Sequence, residues 1–343
     1  MTMSFRGLAR STLAQIAQRG GKSILSRGGR NLLVLCYHSV VPDEYVCALP
    51  NAIGETQFAQ QMQILTREFH PVSASEVCDW FHGRTTLPKH PVLVTFDDGY
   101  RNNLIYAAPI LLRHAIPALM FVTSGYIGTE RVLWTQGIYH RVLDWDQPTI
   151  PLPQGGEYAV PAAAEPRRAL AAKVRAQCKS IQSEQLAQYI EALSVPLQLR
   201  NGASADRLLA FLCWNEIREL ARLGFEIGSH TVEHPVLTQV SHERLKTELE
   251  GSKAAIEREL NCACRYFAYP NGCAGGSNPV VVNAVEHARY ELAFTTIPQL
   301  CHTDQNPHTL GRVVVPANAS LDVFWIRISM LDCTLKRWLG KSA

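Results

Sequence analysis

Seven short stretches of this chain are almost wholly apolar or β-branched: Leu32–Tyr37, Val92–Phe96, Ala118–Thr123, Phe225–Ser229, Tyr266–Tyr269, Leu292–Thr296 and Arg312–Val315. Near-continuous apolar runs of this length are the pattern of strands covered on both faces. Between them, polar and apolar positions recur with a helical period in Glu55–Phe69, Asn103–His114, Trp214–Leu223 and His242–Leu260. The last opens on Ser241 as an N-cap and repeats Leu245, Leu249 and Ile256 along one face. Strands that alternate with helices pair in parallel, and about seven such units predict an α/β barrel more readily than an open sheet. One stretch, about 131–212, breaks the rhythm. It has a Pro-rich part, Pro148 to Pro166, then an Ala/Gln-rich helical pattern, Arg167–Leu193, with no strand–helix unit. It is expected to be a helical insertion over the barrel mouth. The chain then divides into an arm, residues 1–30, and one barrel domain, residues 31–343.

Composition narrows the class. Of 343 residues 47% are hydrophobic and 18% charged, enough to bury a sizeable core and too apolar for disorder. The longest apolar runs, such as Leu208–Trp214, fall far short of the roughly 20 residues that span a bilayer. Ser11, Gln15, Gln18 and Arg19 interrupt any secretory h-region, so export is not expected. The ten cysteines are dispersed and Cys262-x-Cys264 lacks a second pair, which favours reduced thiols such as Cys36, Cys213 and Cys333 over a zinc cluster.

Net charge is +3 and unevenly spread. The arm holds Arg6, Arg10, Arg19, Lys22, Arg27 and Arg30 and no acid, so the remaining 27 basic residues face 30 acidic ones. An acidic body argues against a nucleic-acid partner. The arm also carries Phe5, Leu8, Leu13, Ile16, Ile24 and Leu25, which suits either packing on the barrel bottom or weak contact with an anionic membrane. Phe324, Ile328, Leu331, Leu335 and Trp338 form a helical stripe that either closes the barrel bottom or, with the basic tail Lys336, Arg337 and Lys341, adds to the membrane contact. The expected location is cytoplasmic, peripheral at the inner face of the cell membrane.

The polar clusters sit where strands end. Val92–Phe96 runs into Asp97-Asp98-Gly99, Phe225–Ser229 into His230-Thr-Val-Glu-His234, and Tyr266–Tyr269 into Pro270-Asn271-Gly272. In parallel barrels the C-terminal strand ends build the active site, so the three clusters can converge. Two histidines four apart and one carboxylate supply three ligands to a catalytic divalent ion and leave a position open. Of two adjacent aspartates, one can bind the ion while the other takes a proton from water. Alone, either cluster could equally be a turn or an ordinary loop; together, each behind an apolar strand, they point to a metal site.

These motifs resemble those of the polysaccharide deacetylases of the NodB-homology type (carbohydrate esterase family 4). Thr95–Gly99 matches the first motif, His230–His234 the second, and Phe267-Ala-Tyr-Pro-Asn-Gly272 the third, within a likeness that covers about Leu32 to Pro316. The resemblance implies a deformed (β/α)7-type barrel. It implies a divalent metal ion, Zn2+ first with Co2+, Ni2+ or Mn2+ as alternatives, on Asp98, His230 and His234. It also implies Asp97 as general base and the Asn271 backbone N–H on the oxyanion. The expected function is metal-dependent removal of acetyl groups from N-acetylated sugars of a glycan or glycan precursor, lipid-linked or soluble, in surface polysaccharide synthesis.

The sequence departs from the family in two places. Ala268 stands where the third motif usually has an arginine that orients the base, and Arg312 is the candidate to replace its charge. The later motif that supplies the general acid is not recognisable; His302 and His308 lie in that part of the chain and read as exposed loop residues. His38, after the first strand, and Tyr269 are candidate substrate-binding residues. A non-catalytic sugar-binding barrel, or a sugar O-deacetylase or deformylase, remains as the alternative reading.

Overall fold

The computed structural model describes residues 14, 15, 17, 31–49, 51–199, 207–317 and 320–331. Most of the basic arm lies outside them, as do Cys333, Leu335, Trp338 and the basic tail. All seven predicted strands form: β1 (Leu33–Tyr37), β2 (Pro91–Phe96), β3 (Ala118–Val122), β4 (Glu226–Ser229), β5 (Tyr266–Ala268), β6 (Leu292–Phe294) and β7 (Val313–Val314). They pair in parallel in the order β6-β5-β4-β3-β2-β1-β7. β6 meets the segment just before β7 through an isolated parallel bridge between Phe294 and Leu310, so the sheet is a half-barrel with an incomplete seam. This is the deformed barrel expected.

Strand alternation sorts the side chains into two layers. Leu33, Leu35, Val92, Val94 and Met120 pack outward under helices. Leu32, Val34, Leu93, Leu119, Phe121 and Phe294 form a second cluster. The Phe121 and Phe294 rings lie 5.7 Å apart although two strands separate β3 from β6, which identifies that cluster as the barrel interior. On the same alternation Leu93, Thr95 and Asp97 point inward, one above the other. Register sets the rim: Tyr37 pairs with Phe96, Val122 with Ser229, and Ser229 with Phe267. Phe96 pairs with Met120, so the register steps by two residues between β2 and β4, and the residues after β1, β2, β4 and β5 all leave the C-terminal edge of the sheet.

Ten helices surround the sheet among the described residues: α1 (Glu55–Glu68), α2 (Ala74–Phe81), α3 (Ala108–Arg113), α4 (Trp134–Leu143), α5 (Ala164–Cys178), α6 (Ser183–Ala192), α7 (Trp214–Arg222), α8 (His242–Leu260), α9 (Pro279–His287) and α10 (Leu321–Ile328). Ser241 caps α8 as predicted, accepting from the Arg244 N–H. The expected single helix Asn103–His114 instead opens with a π-helical turn, Asn103–Ala107. That turn has a use: the Asn103 amide donates to His38 O and accepts from Val40 N, bracing the backbone on both sides of His38.

The insertion contains more than helix. Thr149–Pro151 and Glu157–Ala159 form an antiparallel hairpin within the Pro-rich part, which the sequence pattern did not predict. Gly155 and Gly156, with φ of 90° and 81°, supply the turn that the prolines obscured. The Ala/Gln-rich pattern breaks into α5 and α6. A separate apolar cluster, including Trp134, Ile138, Ile150, Leu170 and Val174, holds hairpin and helices together.

Candidate active site

Asp97 and Asp98 follow β2 without a break, yet they face different partners, because Asp98 takes φ 77° and Gly99 takes 90°. Gly99 also lies against β3: a Cβ there would meet the Val122 backbone at 3.3 Å. Thr231, His234 and Asn271 likewise have positive φ, at 69°, 54° and 54°. Left-handed backbone is uncommon for such residues and persists where neighbours enforce it, as at functional sites. The enforcement after β4 is visible. The buried Glu248 carboxylate of α8 accepts from the N–H groups of Val232 and Glu233, and the Thr231 hydroxyl accepts from His234 N. From the insertion, Trp134 Nε1 donates to His234 O, and Arg131 pairs with Glu233.

These braces bring three predicted ligands together. His230 Nε2 is 3.6 Å and His234 Nε2 3.3 Å from Asp98 Oδ1, and all three residues are buried. Their ligand atoms lie within 4.8 Å of one another. His230 Nδ1 lies 2.7 Å from the Ala268 carbonyl, which fixes the Nδ1–H tautomer and leaves the Nε2 lone pair for an ion. Burial, the largest influence, lowers the His230 imidazole to about 4, so the ring is neutral at physiological pH. Burial alone would raise the Asp98 carboxyl, but the His234 hydrogen bond and the surrounding histidines hold it below the usual range. A neutral imidazole, an ionised carboxylate and two converging Nε2 atoms fit a divalent cation of borderline softness such as Zn2+.

Asp97 is clamped instead. Arg312, just before β7 and fully buried, donates Nη1 to Oδ1 at 2.6 Å and Nη2 to Oδ2 at 2.7 Å. Its Nε reaches Thr295 O at 3.0 Å and Nη1 also reaches Thr95 Oγ1 at 3.1 Å, so the fork cannot pivot. Burial works against Asp97 ionisation, but the Arg312 guanidinium, seconded by His230, outweighs it and holds the carboxyl well below the ordinary range. The guanidinium that pairs with Asp97 is thus that of Arg312, while Ala268 meets the site by its carbonyl. Cys36 Sγ, 3.4 Å from Asp97 Oδ2, stays a thiol because burial pushes its pKa up.

Asp97, Asp98, His230 and His234 line one chamber of about 170 Å³ with His38, Tyr269 and Asn271. Tyr269 lends it only ring surface, because its hydroxyl donates to His308 O at 2.7 Å. His308 is not the exposed loop residue expected: it is buried, with Nε2 2.8 Å from Tyr290 O. His302 pairs with Asn31. Neither lines the chamber. Cys262 is exposed and Cys264 buried.

Sequence reasoning missed Glu248 and the chamber wall that the insertion supplies, Thr135, Gln136, Arg175 and Lys179. Glu248 left a trace, being an acid on the face of α8 that carries Leu245 and Leu249.

Comparison with known proteins identifies the family and the fold. The polysaccharide deacetylase family profile matches residues 84–293, a stretch that holds all three motifs. YxkH of Bacillus subtilis (strain 168), named for polysaccharide deacetylase, is 28% identical over 109 residues, which are 32% of this chain and only 38% of that relative. The deacetylase PplD of Streptococcus pyogenes, solved in complex with acetate, superimposes with TM-score 0.57 at 19% identity, covering 87% of this chain and 98% of that one. IcaB from Ammonifex degensii gives TM-score 0.57 at 23% identity over 88% of this chain and 96% of that one. At such identities the structural likeness speaks for the fold. His38 and Arg312 lie outside the matched stretch and reach the site through β1 and β7. With its motifs in register and more than half its length matched, the chain belongs to the polysaccharide deacetylase family.

Proposed function

We propose that the chain is a metal-dependent hydrolase that removes acetyl groups from N-acetylated sugars of a glycan or glycan precursor. The observation that supports it is the convergence of Asp98, His230 and His234 beside an Asp97 that makes no claim on the same ligand position. Asp98, His230 and His234 would hold the ion. When bound, it would supply Lewis acidity, polarising the amide carbonyl and making nearby water more acidic.

The remaining work falls to the chain's own groups. Asp97 receives the proton of the attacking water on a lone pair that Arg312 leaves free; Arg312 keeps it ionised and aimed. The Asn271 backbone N–H is assigned to the oxyanion. For the leaving nitrogen we assign His38, since it lines the chamber within 4.8 Å of the Asp97 carboxylate and neither His302 nor His308 does. A purely sugar-binding barrel has no use for a clamped base beside three ligands. Acetate release from N-acetylated hexosamine oligomers tests the reading, with O-acetyl and N-formyl sugars as parallel arms. Release from the N-acetyl arm that ends with Asp98→Asn is expected. No release from any arm would leave the sugar-binding alternative.

A further inference from the structure

Arg175 and Lys179 are one turn apart at the C-terminal end of α5, and both line the chamber. No ion pair ties either to a carboxylate among the described residues, although each is partly withdrawn from solvent. They also line a second cavity, of about 540 Å³, bordered by Val236, Gln239 and the loop Cys273–Gly276. The basic pair therefore stands on the wall common to the inner chamber and an outer groove.

Charge bookkeeping makes this unusual. Around the chamber two carboxylates, Asp97 and Asp98, face three cations, Arg312, Arg175 and Lys179. A divalent ion would add two more positive charges. Burial lowers the pKa of Arg175 and of Lys179, and the nearby Arg175 charge lowers Lys179 further. Arg175 lies over the Tyr139 ring, 5.8 Å from its centroid, but a partly desolvated pair of cations without a carboxylate partner is costly unless a ligand completes it.

We propose that Arg175 and Lys179 form a subsite for an anionic group of the substrate, a phosphate or a carboxylate, carried next to the acetylated sugar. The sugar would present its acetamido group in the inner chamber while its charged neighbour sits at the entrance to the groove. Guanidinium and ammonium at helical i,i+4 spacing can both donate to one oxyanion. The preferred substrate is then an acidic or phosphorylated glycan, not a neutral homopolymer. The insertion, which supplies both residues, becomes the element that selects it.

The inference rests on the deacetylase reading for the identity of the sugar, so its test measures binding without turnover. Full-length, metal-loaded protein carrying Asp97→Asn is titrated calorimetrically with three probes. They are methyl N-acetylglucosaminide, N-acetylglucosamine 1-phosphate and an N-acetylglucosamine–glucuronate disaccharide. At least one anionic probe should bind about tenfold tighter than the neutral one, the scale of a charged hydrogen bond. Which anion wins identifies the source of the charge. Adding Arg175→Gln and Lys179→Gln should abolish that margin and leave the neutral sugar within about twofold. The charge-keeping pair Arg175→Lys and Lys179→Arg should retain most of it. If the double glutamine variant melts early, the single variants, each expected to lose about threefold, carry the same test. Equal binding of all three probes overturns the proposal. So does a margin that survives both glutamines, because the anion would then sit on the ion. Acetate release by the wild type from the neutral sugar reports separately on the deacetylase reading.

Discussion

Arg312→Met removes one partner of a buried, bidentate pair and keeps most of the apolar stem. Arg312 has no exposure and Asp97 is 2% exposed, so water cannot replace the lost donors. Two charge-assisted bonds to Asp97 and one each to Thr295 O and Thr95 Oγ1 disappear together. Breaking a buried pair costs about 3–5 kcal/mol because the surviving charge is left uncompensated. The sign with pH follows from the direction of the Asp97 shift. In the wild type the folded pKa is depressed, so the carboxylate contributes stability above its unfolded value, lost as pH falls through the folded one. Without Arg312, burial dominates and raises the folded pKa. The contribution then reverses: it is present at low pH and is lost as pH rises. Denaturant unfolding should therefore find the variant destabilised by about 3–5 kcal/mol at pH 7 and by clearly less near pH 4. Asp97→Asn together with Arg312→Met should be more stable at pH 7 than Arg312→Met alone, since no unpaired carboxylate remains. Turnover at neutral pH should drop, with its acid limb moved upward. A variant within about 1 kcal/mol of wild type at pH 7, with an unmoved pH–rate profile, would refute the clamp as the device that sets Asp97.

Further expectations follow from the same geometry. Replacing Asp98, His230 or His234 by alanine should abolish stoichiometric metal in the purified protein, whereas Asp97→Asn should keep metal and lose turnover. Glu248→Ala frees two half-buried amides of the loop that carries both histidines; it should weaken metal binding by about 10–100-fold without touching a ligand, measured by competition with a chromophoric chelator. His38→Gln should lower kcat on N-acetyl substrates far more than on an acetyl ester with a good leaving group, and an equal loss on both would remove it as proton donor. For the arm, co-sedimentation with anionic vesicles should exceed that with neutral ones and fall on deleting residues 1–30; equal recovery would reject membrane contact.

The strands were legible because a buried parallel strand has no polar face to confuse its pattern, and the chemical residues sit directly behind them. Register then explains why clusters more than a hundred residues apart converge. What escaped was produced by tertiary packing. Nothing in the local sequence says that Arg312 turns inward to the base; its position at a strand start offered only a charge in the right part of the chain. The Pro-rich hairpin was hidden because prolines at strand edges mimic loop. Helix α5 reads as a plain Ala-rich amphipathic segment, and only its docking over the rim turns Arg175 and Lys179 into chamber wall. His308 looked exposed because it follows a polar loop, yet its imidazole is spent on the Tyr290 carbonyl.

The central claim is that Asp98, His230 and His234 hold a divalent cation. Anomalous diffraction at the zinc edge, on crystals of the protein loaded with zinc, tests it most directly. The account predicts one strong peak about 2.0–2.2 Å from His230 Nε2, His234 Nε2 and an Asp98 oxygen, with Asp97 outside bonding distance and still forked by Arg312. No peak at that position in zinc-loaded crystals, or a peak ligated by Asp97 in place of Asp98, would contradict it.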